Sequence, residues 1–294
     1  MERLLSRTFG LLILLSLAGC HEATTGVLNP EGIVTYAERH LFFNALALML
    51  IVVIPVIIMS FAFIIRYRAS HKTAEYKPNW AHNVFFEIIW WGVPCAIIIV
   101  LAIITSIMTH KLDPYRKINV PGTIMPVEAV ALPWKWLFIY PTQNIATVNW
   151  LEIPKGQQVE FFLTSDNVPM SAFFIPQLSS QIYTMAGMRT RLHLVASRDG
   201  IFEGLNAQYN GDGFSDMHFE VHVVEPAEMQ RWVKQVKQSS NPLTLSAYQQ
   251  LLQPVINAPV QYYSSAVPGL FEHIIQKYKQ TEPPSPGPWN QSKQ

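Results

Sequence analysis

Apolar positions along this chain fall into three regimes. Near the N-terminus they form long unbroken runs: Leu4 to Leu17, then Leu41 to Ile65 with no charge, then Val84 to Met108 with Glu87 as its single ionisable group. Each of the last two is about 37 Å long as a helix, enough to cross a hydrocarbon layer of about 30 Å, so both are predicted membrane spans. Pro55 and Pro94 do not oppose this, because membrane helices tolerate proline where neighbouring groups take up the freed carbonyl. Beyond a linker carrying Pro114, Pro121, Gly122 and Pro126, the runs become short and rich in Val, Phe, Trp, Tyr and Thr: Val127–Tyr140, Ala146–Ile153, Gln158–Thr164, Ala172–Pro176, Arg189–Ala196 and Met217–Val224. Turn residues separate them, which predicts an antiparallel β-sandwich or barrel. Past Pro226 the period turns helical, with Met229, Trp232, Val233 and Val236 on one face. Leu251 to Val255 and Leu270 to Tyr278 are two further short helices in this reading, and the Pro-rich tail from Glu282 is expected to be disordered.

The first run is too short to span, and Arg3 and Arg7 flank its start, as in an export signal. It ends Leu17-Ala18-Gly19-Cys20, which resembles the lipobox of bacterial lipoproteins, so residues 1–19 are read as a signal peptide and Cys20 as the lipidated residue. Between the spans, Arg66, Arg68, Lys72 and Lys77 oppose only Glu75, whereas residues 21–40 offer Arg39 alone. That asymmetry places the 66–83 loop in the cytoplasm. The expected order is an exported segment 20–40, spans 41–65 and 84–108, a linker 109–126, an exported β-domain 127–225 and a helical extension 226–294.

Composition narrows the chemistry. Half of the 294 residues are hydrophobic and 14% charged, and 21 basic residues face 20 acidic ones, which excludes a disordered chain and gives nucleic acid no basic surface. Of the two cysteines, Cys20 is assigned to lipid and Cys95 to the second span, so the β-domain has no thiol for a thiolate copper site. His193, His218 and His222 remain. On a strand, four residues separate His218 from His222 by about 13 Å, so the three are read as surface histidines. Met170, Met185, Met188 and Met217 could hold a soft metal only if the fold gathers them; core filling is the simpler reading. No nucleophile arrangement, phosphate loop or redox Cys pair occurs. Glu87 stands out because a carboxylate at membrane depth is costly and marks proton or ion pathways.

The organisation resembles subunit II of the haem-copper terminal oxidases, within them the quinol-oxidising branch. The resemblance is carried by Arg66-Tyr67-Arg68-Ala69-Ser70, Pro78-Asn79-Trp80, Glu87-Ile88-Ile89-Trp90 with Pro94, Trp134-Lys135-Trp136-Leu137-Phe138-Ile139-Tyr140-Pro141, Phe173-Phe174-Ile175-Pro176, Gln181 to Met188 and Tyr209 to Ser215. Ser264 to Tyr278 is similar to the C-terminal extension of the quinol branch. The resemblance implies a two-helix hairpin and an exported cupredoxin-like sandwich. The cytochrome c-oxidising branch holds a binuclear copper centre here with two His, two Cys and a Met. Those positions fall on Ser171, Tyr209, Gly213, Met217 and Glu220, which leaves no workable ligand set and agrees with the thiol count.

The resemblance therefore implies a subunit that binds no cofactor itself. Ubiquinol is the donor of the complex, haems and copper belong to subunit I, and the partners are subunit I, the other membrane subunits and the bilayer, with no cytochrome c. Trp134 and Trp136 are interface candidates toward subunit I. Glu87 matches the carboxylate at the cytoplasmic mouth of a proton-uptake channel. Two other readings are a cytochrome c oxidase subunit with a working copper centre, which copper analysis would reveal, and a lipoprotein scaffold with no redox partner, which would not co-purify with a haem-bearing subunit.

Overall fold

The computed structural model describes residues 26–68, 82–168 and 170–279. The expected signal peptide, Cys20, most of the 66–83 loop and the tail from Glu282 lie outside the described residues. The chain divides into two units, residues 37–113 and the remainder.

The first unit holds all but the first four residues of α1 (Ile33–Arg66) and the whole of α2 (Val84–Lys111), each helix long and apolar enough to cross a membrane. Both are apolar on every side, which suits a surround of lipid rather than a single buried stripe. Pro55 and Pro94 sit inside them without ending them. Asn83 caps α2, its side chain accepting from the Phe85 and Phe86 amides. The helices extend past the expected spans at both outer ends, α1 beginning eight residues before Leu41 and α2 running three past Met108.

The second unit is a two-sheet sandwich. Its strands are β1 (Met125–Leu132), β2 (Lys135–Tyr140), β3 (Ile145–Val148), β4 (Trp150–Pro154), β5 (Val159–Ser165), β6 (Met170–Phe174), β7 (Ile182–Met185), β8 (Thr190–Leu194), β9 (Gly200–Asn206), β10 (His218–Val224) and β11 (Gln261–Tyr263). One sheet runs β11-β3-β2-β1-β5-β8 and the other β4-β10-β9-β6-β7. Pairing is not wholly antiparallel as expected: β1 with β5 and β4 with β10 are parallel. Three helices follow the tenth strand: α3 (Pro226–Gln238), α4 (Leu245–Leu251) and α5 (Leu270–Lys279).

Two of the apolar runs conceal a reversal. Val127–Tyr140 is a hairpin whose turn is Pro133 and Trp134, with Trp134 at φ 58°, and Ala146–Ile153 breaks at Asn149, φ 55°. Pro133 is a turn residue but Trp134 is not a usual one, and the apolar residues on both sides let the two strands read as a single run. The Leu251–Val255 helix is also displaced: α4 starts at Leu245, where Thr244 caps it, and ends at Leu251, three residues before Pro254.

Trp136, Phe138, Phe161, Phe173 and Phe219 fill the space between the sheets, with the Phe173 and Phe219 rings stacked 5.3 Å apart. Burying each such side chain stabilises the fold by about 2–3 kcal/mol. A second apolar cluster lies on the opposite face of the first sheet, where Val130, Leu132, Leu137 and Ile139 meet Tyr248, Phe271, Ile274 and Ile275 of the helical extension. Both faces of β2 are therefore buried, which is why that strand reads as a continuous apolar run instead of alternating.

Polar anchors hold the extension down. Asp166, 1% exposed, accepts from Tyr248 Oη at 2.5 Å, Tyr278 Oη at 2.6 Å and Lys277 Nζ at 2.7 Å. Buried Lys135 donates to the Leu251 and Gln253 carbonyls at 3.0 and 2.7 Å, capping the C-terminal end of α4, and its burial holds the ammonium below the usual lysine range. At the other end of the unit, Gly32 bridges to Ala196, and buried Thr35 donates to the Gln177 carbonyl at 2.8 Å. A Cβ on Gly32 would lie 2.0 Å from the Leu178 carbonyl oxygen, so only glycine fits.

Candidate functional site

The positions that carry copper in the related branch do not converge on a metal-binding geometry. Ser171, fully buried on β6, and Met217, just before β10, are bridged by Asn210, whose Nδ2 donates to Ser171 Oγ at 3.3 Å and Met217 Sδ at 3.2 Å. Trp134 lies over the same loop. Its indole donates to the Asn210 carbonyl at 3.4 Å, and its ring covers Gly213 so closely that a Cβ there would sit 2.5 Å from Cγ and Cδ2. Tyr209 is 69% exposed and packs its ring on Phe214. Glu220 points away on the outer face of its sheet and pairs with His222 Nε2 at 2.9 Å.

This donor set does not fit a binuclear copper centre. A hydroxyl, a phenol, a glycine and an outward carboxylate supply neither bridging thiolates nor imidazoles, and the remaining thioether is engaged by an amide. Among the described residues, no group of three or more His, Cys, Asp or Glu side chains could hold a metal ion. Asn210 has no distinguishing signal within the Tyr209–Ser215 stretch, and its part as the tie between β6 and the 209–217 loop is visible only in three dimensions.

The histidines divide. His218 and His222 lie on the outer face of β10, the first paired with Glu203 at 2.7 Å and the second stacked on Trp150 at 3.7 Å. His193 is not a surface residue: it is 3% exposed, its Nδ1 lies 2.8 Å from Gln158 Nε2, and burial holds its pKa below the ordinary value despite Glu160 nearby. The indoles also separate. Trp136 is fully buried between Phe173 and Phe219, which removes it from any docking surface, while Trp134 stays partly exposed at the loop.

In the helical unit, Glu87 occupies the first turn of α2, its amide bonded to the Asn83 carbonyl. The positive end of the helix dipole favours a carboxylate there. His82 Nδ1 lies 3.0 Å from Glu87 Oε1, and the two side chains are 88% and 38% exposed. The carboxylate is thus joined to an imidazole at the start of the helix. Sequence reasoning singles out Glu87 and passes over His82, because the stretch before the span offers no periodicity to place it.

Comparison with known proteins adds three findings. The family described as COX Aromatic Rich Motif matches residues 237–281, the segment that covers the first sheet. The chain is 49% identical to the cytochrome bo(3) ubiquinol oxidase subunit 2 of Pseudomonas aeruginosa over 90% of its own length and 79% of that protein. It is 46% identical to the ubiquinol oxidase subunit 2 of Acetobacter aceti over 93% of its length and 88% of that one, and 38% identical to the quinol oxidase subunit 2 of Bacillus anthracis over 83% and 84%. Among solved structures, the periplasmic domain of subunit II of cytochrome oxidase from Bradyrhizobium japonicum is 21% identical, covering 40% of this chain and 95% of that one with a TM-score of 0.37.

Proposed function

The chain belongs to the subunit 2 family of ubiquinol oxidases, and from that premise we propose that it is the non-metal-binding subunit of a proton-translocating quinol:oxygen oxidoreductase of the bacterial inner membrane. Its two apolar helices anchor it beside subunit I, which carries the haems and copper, and its sandwich lies on the periplasmic side with Trp134 toward that partner. Lipid on Cys20 adds a further anchor. Ubiquinol delivers electrons within the membrane, so the exported domain has no electron to pass.

The observation that carries this reading is the closed loop at the vacated ligand positions. Asn210 ties Ser171 to Met217, and Trp134 covers Gly213, so the pole that would receive electrons from a soluble donor is filled by protein. The purified complex should consume oxygen with a quinol and not with reduced cytochrome c. Turnover with cytochrome c would refute the assignment.

Glu87 is the residue through which this chain takes part in the reaction. Held at the start of α2 with His82 at 3.0 Å, it collects protons from the cytoplasmic side for subunit I. Glu87→Ala should slow oxygen reduction and proton uptake by about tenfold or more while leaving haem content unchanged, the scale expected for loss of a positioned proton-transfer group. Wild-type turnover in the purified variant complex would remove Glu87 from the proton path.

A further inference from the structure

The fold gathers three of the four methionines in the exported domain. Met170 on β6 is the direct register partner of Met185 on β7. Opposed residues of an antiparallel pair carry their Cβ atoms about 5 Å apart on one face. That face is the outer one, because the alternate residues Ser171 and Thr184 are buried while Met185 is 37% exposed. Met188 follows through a tight turn in which its amide donates to the Met185 carbonyl at 3.2 Å and Gly187 takes φ 76°. Such a turn brings its end residues within about 7 Å, and Met188 is 50% exposed. Met217 stands apart in the core, its sulfur engaged by Asn210.

Three unbranched thioethers thus share one solvent-facing edge of the second sheet. Full burial of a methionine is worth about 1.5–3 kcal/mol, and with Met170 half-buried, Met185 37% exposed and Met188 50% exposed the three forgo part of it and fill no core. Thioether sulfur carries no proton to lose and prefers soft cations over Zn²⁺, Ca²⁺ or Mg²⁺, and its three flexible torsions let it close around an ion. We propose that Met170, Met185 and Met188 form a surface site for a soft monovalent cation, Cu(I). It is separate from the vacated binuclear positions and does not depend on the assignment of Glu87 or of the electron donor.

The test uses the full chain in detergent with Cys20→Ala and Cys95→Ala as background, so that no thiol contributes. Cu(I) is offered anaerobically from its bathocuproine disulfonate complex. One Cu(I) per chain should transfer, with sulfur as the ligand by X-ray absorption and no change in affinity between pH 5 and 7. Met185→Leu, which conserves volume and leaves thermal unfolding unaltered, should weaken binding by about tenfold or more. Failure to take Cu(I), retention that falls as imidazoles protonate, or equal binding by the triple variant M170L/M185L/M188L would each overturn the site. So would a triple variant that loses its partner subunits while the unaltered chain binds no Cu(I), since the patch would then be a protein contact.

Discussion

Asp166→Asn tests how the C-terminal extension is fastened. The side chain is 1% exposed and accepts three donors, the phenols of Tyr248 and Tyr278 and the ammonium of Lys277. Asparagine keeps the shape but removes the charge and presents an amide N–H₂ where an acceptor stood, so at least one buried donor loses its partner. A hydrogen bond to a charged group contributes about 1.5–3 kcal/mol, and removing one partner of a buried pair costs about 3–5 kcal/mol. Lys277 is 47% exposed and recovers much of its loss in water, which brings the expected cost to about 3 kcal/mol. For a unit of this size that is a fall of roughly 6–12 °C in melting temperature. Thermal unfolding of the full chain in detergent, followed by tryptophan fluorescence, measures it, with amide exchange in α5 reporting whether the extension loosens first. A change below about 1 kcal/mol with α5 still protected would refute the claim that Asp166 fastens the extension.

Two carboxylates give the exported unit a pH dependence of unusual sign. Burial pushes Glu128 up to about 7, with Arg189 opposing and Glu272 reinforcing, and burial likewise pushes Glu152 to about 7 against the Trp150 indole hydrogen bond, with Glu228 adding to the rise. Both bind protons more tightly folded than unfolded, so the stability these two groups contribute is greatest below about pH 4.5 and falls toward pH 7, by at most about 1.4 kcal/mol per pH unit for each group. Glu128→Gln should flatten that slope in urea titrations, and an unchanged slope would discard the account. Gly32→Ala places a carbon 2.0 Å from the Leu178 oxygen and should cost about 1–3 kcal/mol, seen as freed exchange at the Ile33 and Ser197 amides; a silent substitution would show that the N-terminal segment is not wedged there.

The spans are legible because an uncharged apolar run of bilayer length fits little besides a membrane crossing, and the register of α3 because Met229, Trp232, Val233 and Val236 repeat at helical spacing. The hairpin at Pro133-Trp134 is less so: Pro133 and Lys135 mark the break, but Trp134 is an unusual residue for the left-handed turn position and the apolar residues on either side read as one run. β7, β9 and β11 escape because they are short, exposed or glycine-bearing, and β11 forms against β3 from far along the chain. The two apolar faces of β2 look like one strongly hydrophobic strand until the extension supplies the second cover. Of the site, Glu87 is readable from its isolation in a span. Asn210, His82 and the meeting of the methionines depend on contacts between segments that no local pattern encodes.

The long-range pairings, β4 with β10 parallel and β3 with β11 antiparallel, govern when this domain can form during synthesis. Trp150 pairs with Glu220 and Ala146 with Tyr263, so the second sheet cannot close, nor the first gain its edge, until nearly the whole exported chain has crossed the membrane. Such long-range closure is slow, because loop entropy is spent before contacts reward it. The membrane helices, complete by Lys111, are therefore in place while open strand edges of the sandwich wait in the exported compartment for their partners. Open edges in that interval, rather than the finished fold, are the sites where aggregation would start or a chaperone would act.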